Sequence, residues 1–304
     1  MAVQNLPAAA PCSFAKEKRP RPDGKFSLKK ASCRRTIYLM LFLLFVTAIF
    51  MVPVYYMVVT TFKSGAEAAA QPMALPKVWR FEGYVRAFHE MHYLRALGNT
   101  VYIALLTVVL NISLASMASY ALARRPNFFN RLVYYIFIAG MMVPFQMGLA
   151  SLFSLMSSLG LVNTPYAVIL INASGALIAS IFLMKSFVSS SVPLEIEEAG
   201  RIDGCSVFGI FFRLVLPLMK PVIATMSIIV MLGSWNDFLN PLLFLQSPSK
   251  AVLLQELYTS IGRFSVDWAR MFPMLVLAIL PLTLVYIFLQ RYIIAGVAAG
   301  SVKG

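Results

Sequence analysis

Residues 37–61 read IYLMLFLLFVTAIFMVPVYYMVVTT, an apolar run without a single charged side chain. A hydrocarbon core about 30 Å thick is crossed by roughly 20 helical residues, so this run is long enough to span it. Five more such stretches follow, near 98–122, 132–154, 166–188, 218–245 and 271–291. Hydrophobic residues make up 60% of the 304 and charged residues 12%, with a mean hydropathy of +0.78. Soluble domains are roughly half apolar and a quarter charged. The period-2 alternation of a membrane β-barrel is absent. With no water in the bilayer to satisfy amide groups, helices are the remaining way across. The sequence therefore predicts an all-α integral membrane protein with six transmembrane helices.

Charge placement orients these spans. Residues 1–36, a basic tail, carry Lys16, Lys18, Arg19, Arg21, Lys25, Lys29, Lys30, Arg34 and Arg35 against Glu17 and Asp23. Arg124, Arg125 and Arg131 follow the second span; Lys185, Arg201, Arg213 and Lys220 flank or occupy the connection between the fourth and fifth; Arg291 and Lys303 follow the sixth. These groups hold 18 of the 26 basic residues, so the positive-inside rule places both termini and the 189–217 connection in the cytoplasm. The net charge of +14 then reports topology and contact with anionic lipid headgroups. Scattered over loops, these bases make no nucleic-acid surface. The first apolar run exceeds the roughly 7–15 residues of a signal-peptide core, so it reads as an uncleaved first span. Residues 1–30 have the composition of a disordered tail, and 292–304 form a second cytoplasmic tail. Cys12, Cys33 and Cys205 show no paired spacing, which argues against a disulfide framework or a zinc site.

The 62–97 segment is the largest external loop and has room for a helix from Glu82 to Leu97. His89 and His92 stand three apart without an obvious third ligand, as surface histidines do. The 193–217 island is unusual for a membrane loop. Pro193 suits a helix start, Leu194, Ile196, Ala199 and Ile202 provide an apolar face, and Glu197 and Arg201 are spaced i,i+4. Gly204 is placed to end that helix in a left-handed turn, and Ser206 to cap a second helix that stops before Pro217. A helix–turn–helix with mixed charge suits a protein groove better than an anionic membrane surface.

The island resembles a known pattern. Glu198-Ala199-Gly200, then Gly204, then Leu214 and Leu216-Pro217 are similar to the EAA loop of binding-protein-dependent ABC importer permeases: Glu-Ala-Ala, three residues, Gly, nine residues, Ile, one residue, Leu-Pro. Gly200 replaces the second alanine and Leu214 the isoleucine; the glycine is expected to loosen the first helix by roughly 1 kcal/mol. Arg201-Ile202-Asp203-Gly204 resembles the carbohydrate-uptake branch. So do Asn99-Thr100 at the second span, Ser234-Trp235-Asn236-Asp237-Phe238 with Asn240-Pro241-Leu242 in the fifth, and Gln290-Arg291-Tyr292 through Ala299–Gly304 at the end. This tail is similar to that of the smaller maltose-transporter permease.

The resemblance implies a type I ABC importer permease architecture, with residues 95–291 as the importer transmembrane domain. It implies a bacterial inner-membrane complex with a second, homologous permease subunit, two ATPase subunits and an extracytoplasmic solute-binding protein. ATP and magnesium would sit on the partner ATPase, and no cofactor on this chain. Glu198, Ala199, Gly200, Asp203 and Gly204 would form the docking segment for that ATPase. Independently, no phosphate-binding G-x-x-x-x-G-K-[ST] loop occurs, so ATP is expected on another chain. No His-Glu-x-x-His or Gly-x-Ser-x-Gly site occurs either, and no enzyme activity is expected. Asp237 is the one acid placed within a span; with Asn236, Asn111 and Asn172 it is a candidate for the translocation path, and Gln146 and Ser234 are further cavity candidates. An ion-coupled secondary carrier using Asp237 is the alternative class, although such a carrier has no need of the 193–217 island.

Overall fold

The computed structural model describes residues 30–263 and 267–301; the disordered-tail expectation and the last residues of the tail resemblance lie outside the described residues. The chain divides into two compact units at Val52 and Pro53. The first contains the opening of α1 (Lys30–Thr60), whose apolar side chains from Ile37 to Phe45 are all exposed, as a lipid-facing helix requires.

In the second unit, the described residues are helical and contain no strand. The 62–97 segment is folded. It holds α2 (Gly65–Ala70), capped by Ser64, and α3 (Glu82–Glu90). Phe62 lies against Trp79, Phe81 and Tyr84 with ring centroids 5.0, 5.3 and 5.6 Å away. The buried Lys63 ammonium donates to the carbonyls of Gln71 and Pro72 at 2.8 and 3.0 Å, which compensates its burial. The single helix expected from Glu82 to Leu97 is instead broken at His92, which adopts a left-handed φ of 44° and lets α4 (Tyr93–Arg124) start in a new direction.

α4 and α7 (Pro165–Ser191) form the central packed pair, and α11 (Lys220–Trp235) lies against both. Their contact is built on small residues, among them Ala104, Ala115, Ser116, Ala167, Ala173 and Ser180, all buried. Small side chains let membrane helices approach closely enough for dispersion and hydrogen bonding to hold them. Asn111, fully buried, donates to the Ala173 carbonyl at 2.8 Å and accepts from the Ser180 hydroxyl at 2.8 Å.

Among the described residues, four helices are long and apolar enough to cross a membrane, within 36–60, 93–124, 165–191 and 268–288; two bent pairs bring the number to six if each is one span. The expected third span is not straight. α5 (Phe128–Gly140) and the segment 145–158, which contains α6 (Leu149–Ser158), meet at 93°. Pro144 lacks an N–H and drives Val143 out of helical geometry, so the turn falls there. The second bent pair is 207–218 with 220–235, which meet at 76°; α11 then ends at Trp235, ahead of a short helix, Leu239–Phe244. The last helix runs from Trp268 to Ser301, so residues 292–301 continue the sixth span as helix.

The end opposite the 189–217 loop is tied by side chains. Asn99 donates to the carbonyls of Ser249 and Ala251 at 3.0 and 2.9 Å, and the Thr100 hydroxyl accepts from the Leu253 N–H at 3.0 Å. The Asn99-Thr100 pair thus fastens the 248–253 segment to α4. Asn163, left-handed at φ 62°, accepts from the N–H groups of Gln246 and Ser247 at 3.1 and 3.0 Å.

Candidate functional site

The 189–217 island forms two short helices. α8 (Leu194–Ile202) closes in a Schellman turn: the Cys205 N–H donates to the Gly200 carbonyl at 2.9 Å and the Gly204 N–H to the Arg201 carbonyl at 3.0 Å. Gly204 sits at φ +78°, a conformation that costs other residues a steric penalty. Ser206 then accepts from the Gly209 N–H at 3.2 Å and caps α9 (Val207–Ile210). That helix does not stop before Pro217. It widens into a π turn over Phe211–Val215 and resumes as α10 (Leu216–Leu218) before bending into α11. A proline crowds the carbonyl four residues back, and the wide turn just ahead accommodates it.

The face that α8 buries is the reverse of the one its apolar spacing predicts. Glu197 is 1% exposed and Gly200 is buried, whereas Leu194 and Ile202 are 53% and 87% exposed. The expected Glu197–Arg201 pairing gives way to a long-range one. Glu197 takes the Arg124 guanidinium at 2.7 Å on one carboxylate oxygen and the Tyr120 hydroxyl at 2.9 Å on the other. Arg124 also donates to the Val192 carbonyl at 2.6 Å. A buried carboxylate is tolerable only when so paired. Its consequence is orientation: Glu198, Ala199 and Asp203 face outward, with Ile202, Val207 and Phe208 as exposed apolar neighbours.

Gly200 packs where α8 crosses the second helix. A Cβ built there lies 2.7 Å from Leu214 Cδ1 and 3.3 Å from Ile210 Cγ1, so the glycine is an element of close packing.

A second site lies between α7 and α11, a cavity of about 480 Å³ lined by Asn172, Ser234, Asp237 and Asn240 on its polar side. Gly175 and Gly233 leave room on the two helices. Asn240 donates to the Asn172 side-chain oxygen at 2.8 Å, and its N–H donates to Asp237 at 3.2 Å. The second Asp237 oxygen and the Asn240 side-chain oxygen are buried without a partner among the described residues. Both have almost no accessible surface, so these two acceptors lie within the wall of the cavity.

Of the path candidates, Asp237 and Asn172 come together here, and Ser234 joins them. Asn236 is exposed and turns back to donate to the Leu232 carbonyl at 2.9 Å, away from the lining. Asn111 is enclosed between α4 and α7, so its role is to hold that pair together. Gln146 is exposed on the turn ahead of α6 and does not line the cavity. Sequence reasoning missed Asn240 as a lining residue, and missed Glu197, Tyr120 and Arg124 as an anchor. The signal for the anchor was faint: one more glutamate than an exposed helix needs, and an arginine ending an apolar span. Among the described residues, no three His, Cys, Asp or Glu side chains cluster as metal ligands.

Comparison with known proteins agrees with this architecture. The chain is 36% identical over 270 residues to the arabinooligosaccharides transport system permease protein AraQ of Halalkalibacterium halodurans, covering 86% of this chain and 94% of that one. It is 32% identical over 259 residues to the diacetylchitobiose uptake system permease protein NgcG of Streptomyces coelicolor, covering 84% and 85%. Its fold matches a chain in the crystal structure of a bacterial ABC transporter involved in import of the acidic polysaccharide alginate. That match has a TM-score of 0.76 at 23% identity and covers 87% of this chain and 98% of the other. The family of binding-protein-dependent transport system inner membrane components matches residues 111–298. With its multi-pass helices and its likeness to permease subunits along most of its length, the chain belongs to that family.

Proposed function

We propose that this chain is one of two permease subunits of an ATP-driven importer for a sugar or sugar-like solute. A solute-binding protein outside the membrane delivers the solute, and two ATPase subunits bind the cytoplasmic face. The names of its relatives, permeases for arabinooligosaccharides and diacetylchitobiose, support the substrate class. The family supports an assembly with a binding protein.

The observation that carries the mechanism is the anchoring of α8. The Glu197–Arg124–Tyr120 cluster fixes the inner side of the helix pair to the end of α4. The outer side then offers Glu198, Ala199 and Asp203 beside exposed Ile202 to a groove on the ATPase. Gly200 and Gly204 act from within, the first by close packing and the second by turning the chain. Movement of the ATPase passes through this rigid pair into α11 and the cavity it lines. The polar lining of Asn172, Ser234, Asp237 and Asn240 suits a solute rich in hydroxyls, which supports that cavity as this subunit's share of the path.

The test is Ala199→Cys in the assembled complex, with a cysteine in the ATPase groove. Crosslinking that depends on nucleotide, with loss of sugar-stimulated ATP hydrolysis in Glu198→Lys, is the expected result. Full coupling in Glu198→Lys would sink the docking role. Uptake that follows a proton gradient and ignores ATP would establish the ion-coupled carrier instead.

A further inference from the structure

The geometry points to a binding site for an anionic phospholipid in the crevice between the end of α4 and the α8–α9 pair. This crevice is a cavity of about 540 Å³, separate from the one lined by Asp237. Three guanidinium groups line it, those of Arg124, Arg125 and Arg201, and no acidic side chain is among its described lining residues. Arg124 is already neutralised by Glu197. Arg125 and Arg201 are exposed at the mouth and leave local positive charge.

Apart from Tyr120, whose hydroxyl is taken by Glu197, the rest of the wall is apolar and includes Met117, Phe208 and Phe211. Met117 stands seven residues before Arg124 on the same helix, which places it about 10 Å deeper along the axis. The site therefore runs from the guanidiniums inward along the apolar face of a membrane-spanning helix. That profile fits a phosphodiester headgroup at the arginines with an acyl chain beside Met117 and Phe208. A soluble ATPase does not reach into hydrocarbon, and the chain's own leader, rich in lysine and arginine, is repelled by the arginines. One consequence is regulatory: the lipid would contact Arg201 on the coupling helix and so link its seating to membrane composition.

The inference rests on the proposed topology, which puts this end of α4 at the cytoplasmic leaflet. The lipid assay needs neither transport nor ATP, so its failure and a failure of the importer reading are told apart. The full-length chain in detergent is offered equal amounts of acyl-matched phosphatidylglycerol and phosphatidylcholine, and retained lipid is read by native mass spectrometry. Preferential retention of phosphatidylglycerol is expected, with a loss on the order of tenfold in Arg125→Ala/Arg201→Ala and retention in Arg125→Lys/Arg201→Lys. Should the alanine variant not fold, Phe208→Glu, which sets a carboxylate against the same crevice, must give the same loss. Equal retention of the two lipids, or undiminished retention in these variants, overturns the proposal. So does displacement of the lipid by inorganic phosphate, which would mark a simple anion site, or by the ATPase subunits, which would mark a protein interface.

Discussion

Gly200 and Leu214, the two residues at which this chain departs from the EAA pattern, face each other across the turn that follows α8. A Cβ at 200 would stand 2.7 Å from Leu214 Cδ1, inside van der Waals contact. The departures are thus one compensated change: the bulk removed at 200 makes room for the δ-branched side chain at 214. Alanine favours helix over glycine by about 1 kcal/mol, but in Gly200→Ala that gain is spent on displacing Leu214. Gly200→Ala alone is therefore expected to be near neutral. With Leu214→Ile, which withdraws one δ-methyl, the double variant is expected to be more stable by about 1 kcal/mol. Thermal unfolding of all four forms in detergent checks this. Additivity of the two changes would refute the compensation.

Glu197→Gln leaves Arg124 charged and largely buried. Breaking one partner of a buried ion pair costs about 3–5 kcal/mol, because the remaining charge stays desolvated. Part of that cost is expected as undocking of α8 from α4, read as faster amide exchange and proteolysis in the 189–217 loop while α7 is unchanged. Replacing both partners with Glu197→Leu and Arg124→Met is expected to recover most of the loss. A loop as protected in Glu197→Gln as in the parent would remove the anchor.

The spans were legible because lipid imposes one rule on every residue of a helix: it must be apolar or have a partner within reach. The interruptions were less so. Asn236, Asp237 and Pro144 are ordinary polar or turn residues until neighbouring helices decide which of them breaks a span. The buried face of α8 was unreadable for a related reason. Its determinant, Arg124, lies 73 residues away, and helical periodicity gives no account of a partner outside the helix. Spacing alone favoured Arg201 for Glu197, a local exposed pair worth only tenths of a kcal/mol. The buried long-range pair won because α8 has to be held at a fixed angle. Gly204 was read correctly, since a left-handed turn leaves its mark on one residue.

Asn163 joins two loops at the opposite end. Its left-handed backbone and its two accepted hydrogen bonds make separable contributions. Asn163→Gly keeps the first and forfeits the second; Asn163→Ala forfeits both. The expected order of melting temperature is Asn163, then glycine, then alanine. The step from glycine to alanine is expected at about 1–2 kcal/mol, the cost of a left-handed Cβ. An alanine variant as stable as the glycine one would mean that the loop relaxes out of this conformation.

Asp237→Asn separates the structural role of the cavity carboxylate from the transport role proposed for it. Asn still offers an oxygen to the Asn240 N–H, which Asp237 accepts at 3.2 Å, so the break between α11 and the short helix Leu239–Phe244 should hold. The unpartnered second oxygen, however, becomes an amide that donates. A site that received sugar hydroxyls as donors would then face them with a donor of its own, and leaving such groups unmatched costs about 1–3 kcal/mol each. The expected outcome is an unchanged melting temperature with transport reduced by roughly tenfold or more. ATP hydrolysis stimulated by the binding protein should survive, because α8 is untouched. Sugar uptake and stimulated hydrolysis in reconstituted vesicles measure both. Undiminished uptake would take Asp237 out of the path and leave it as a helix-breaking residue.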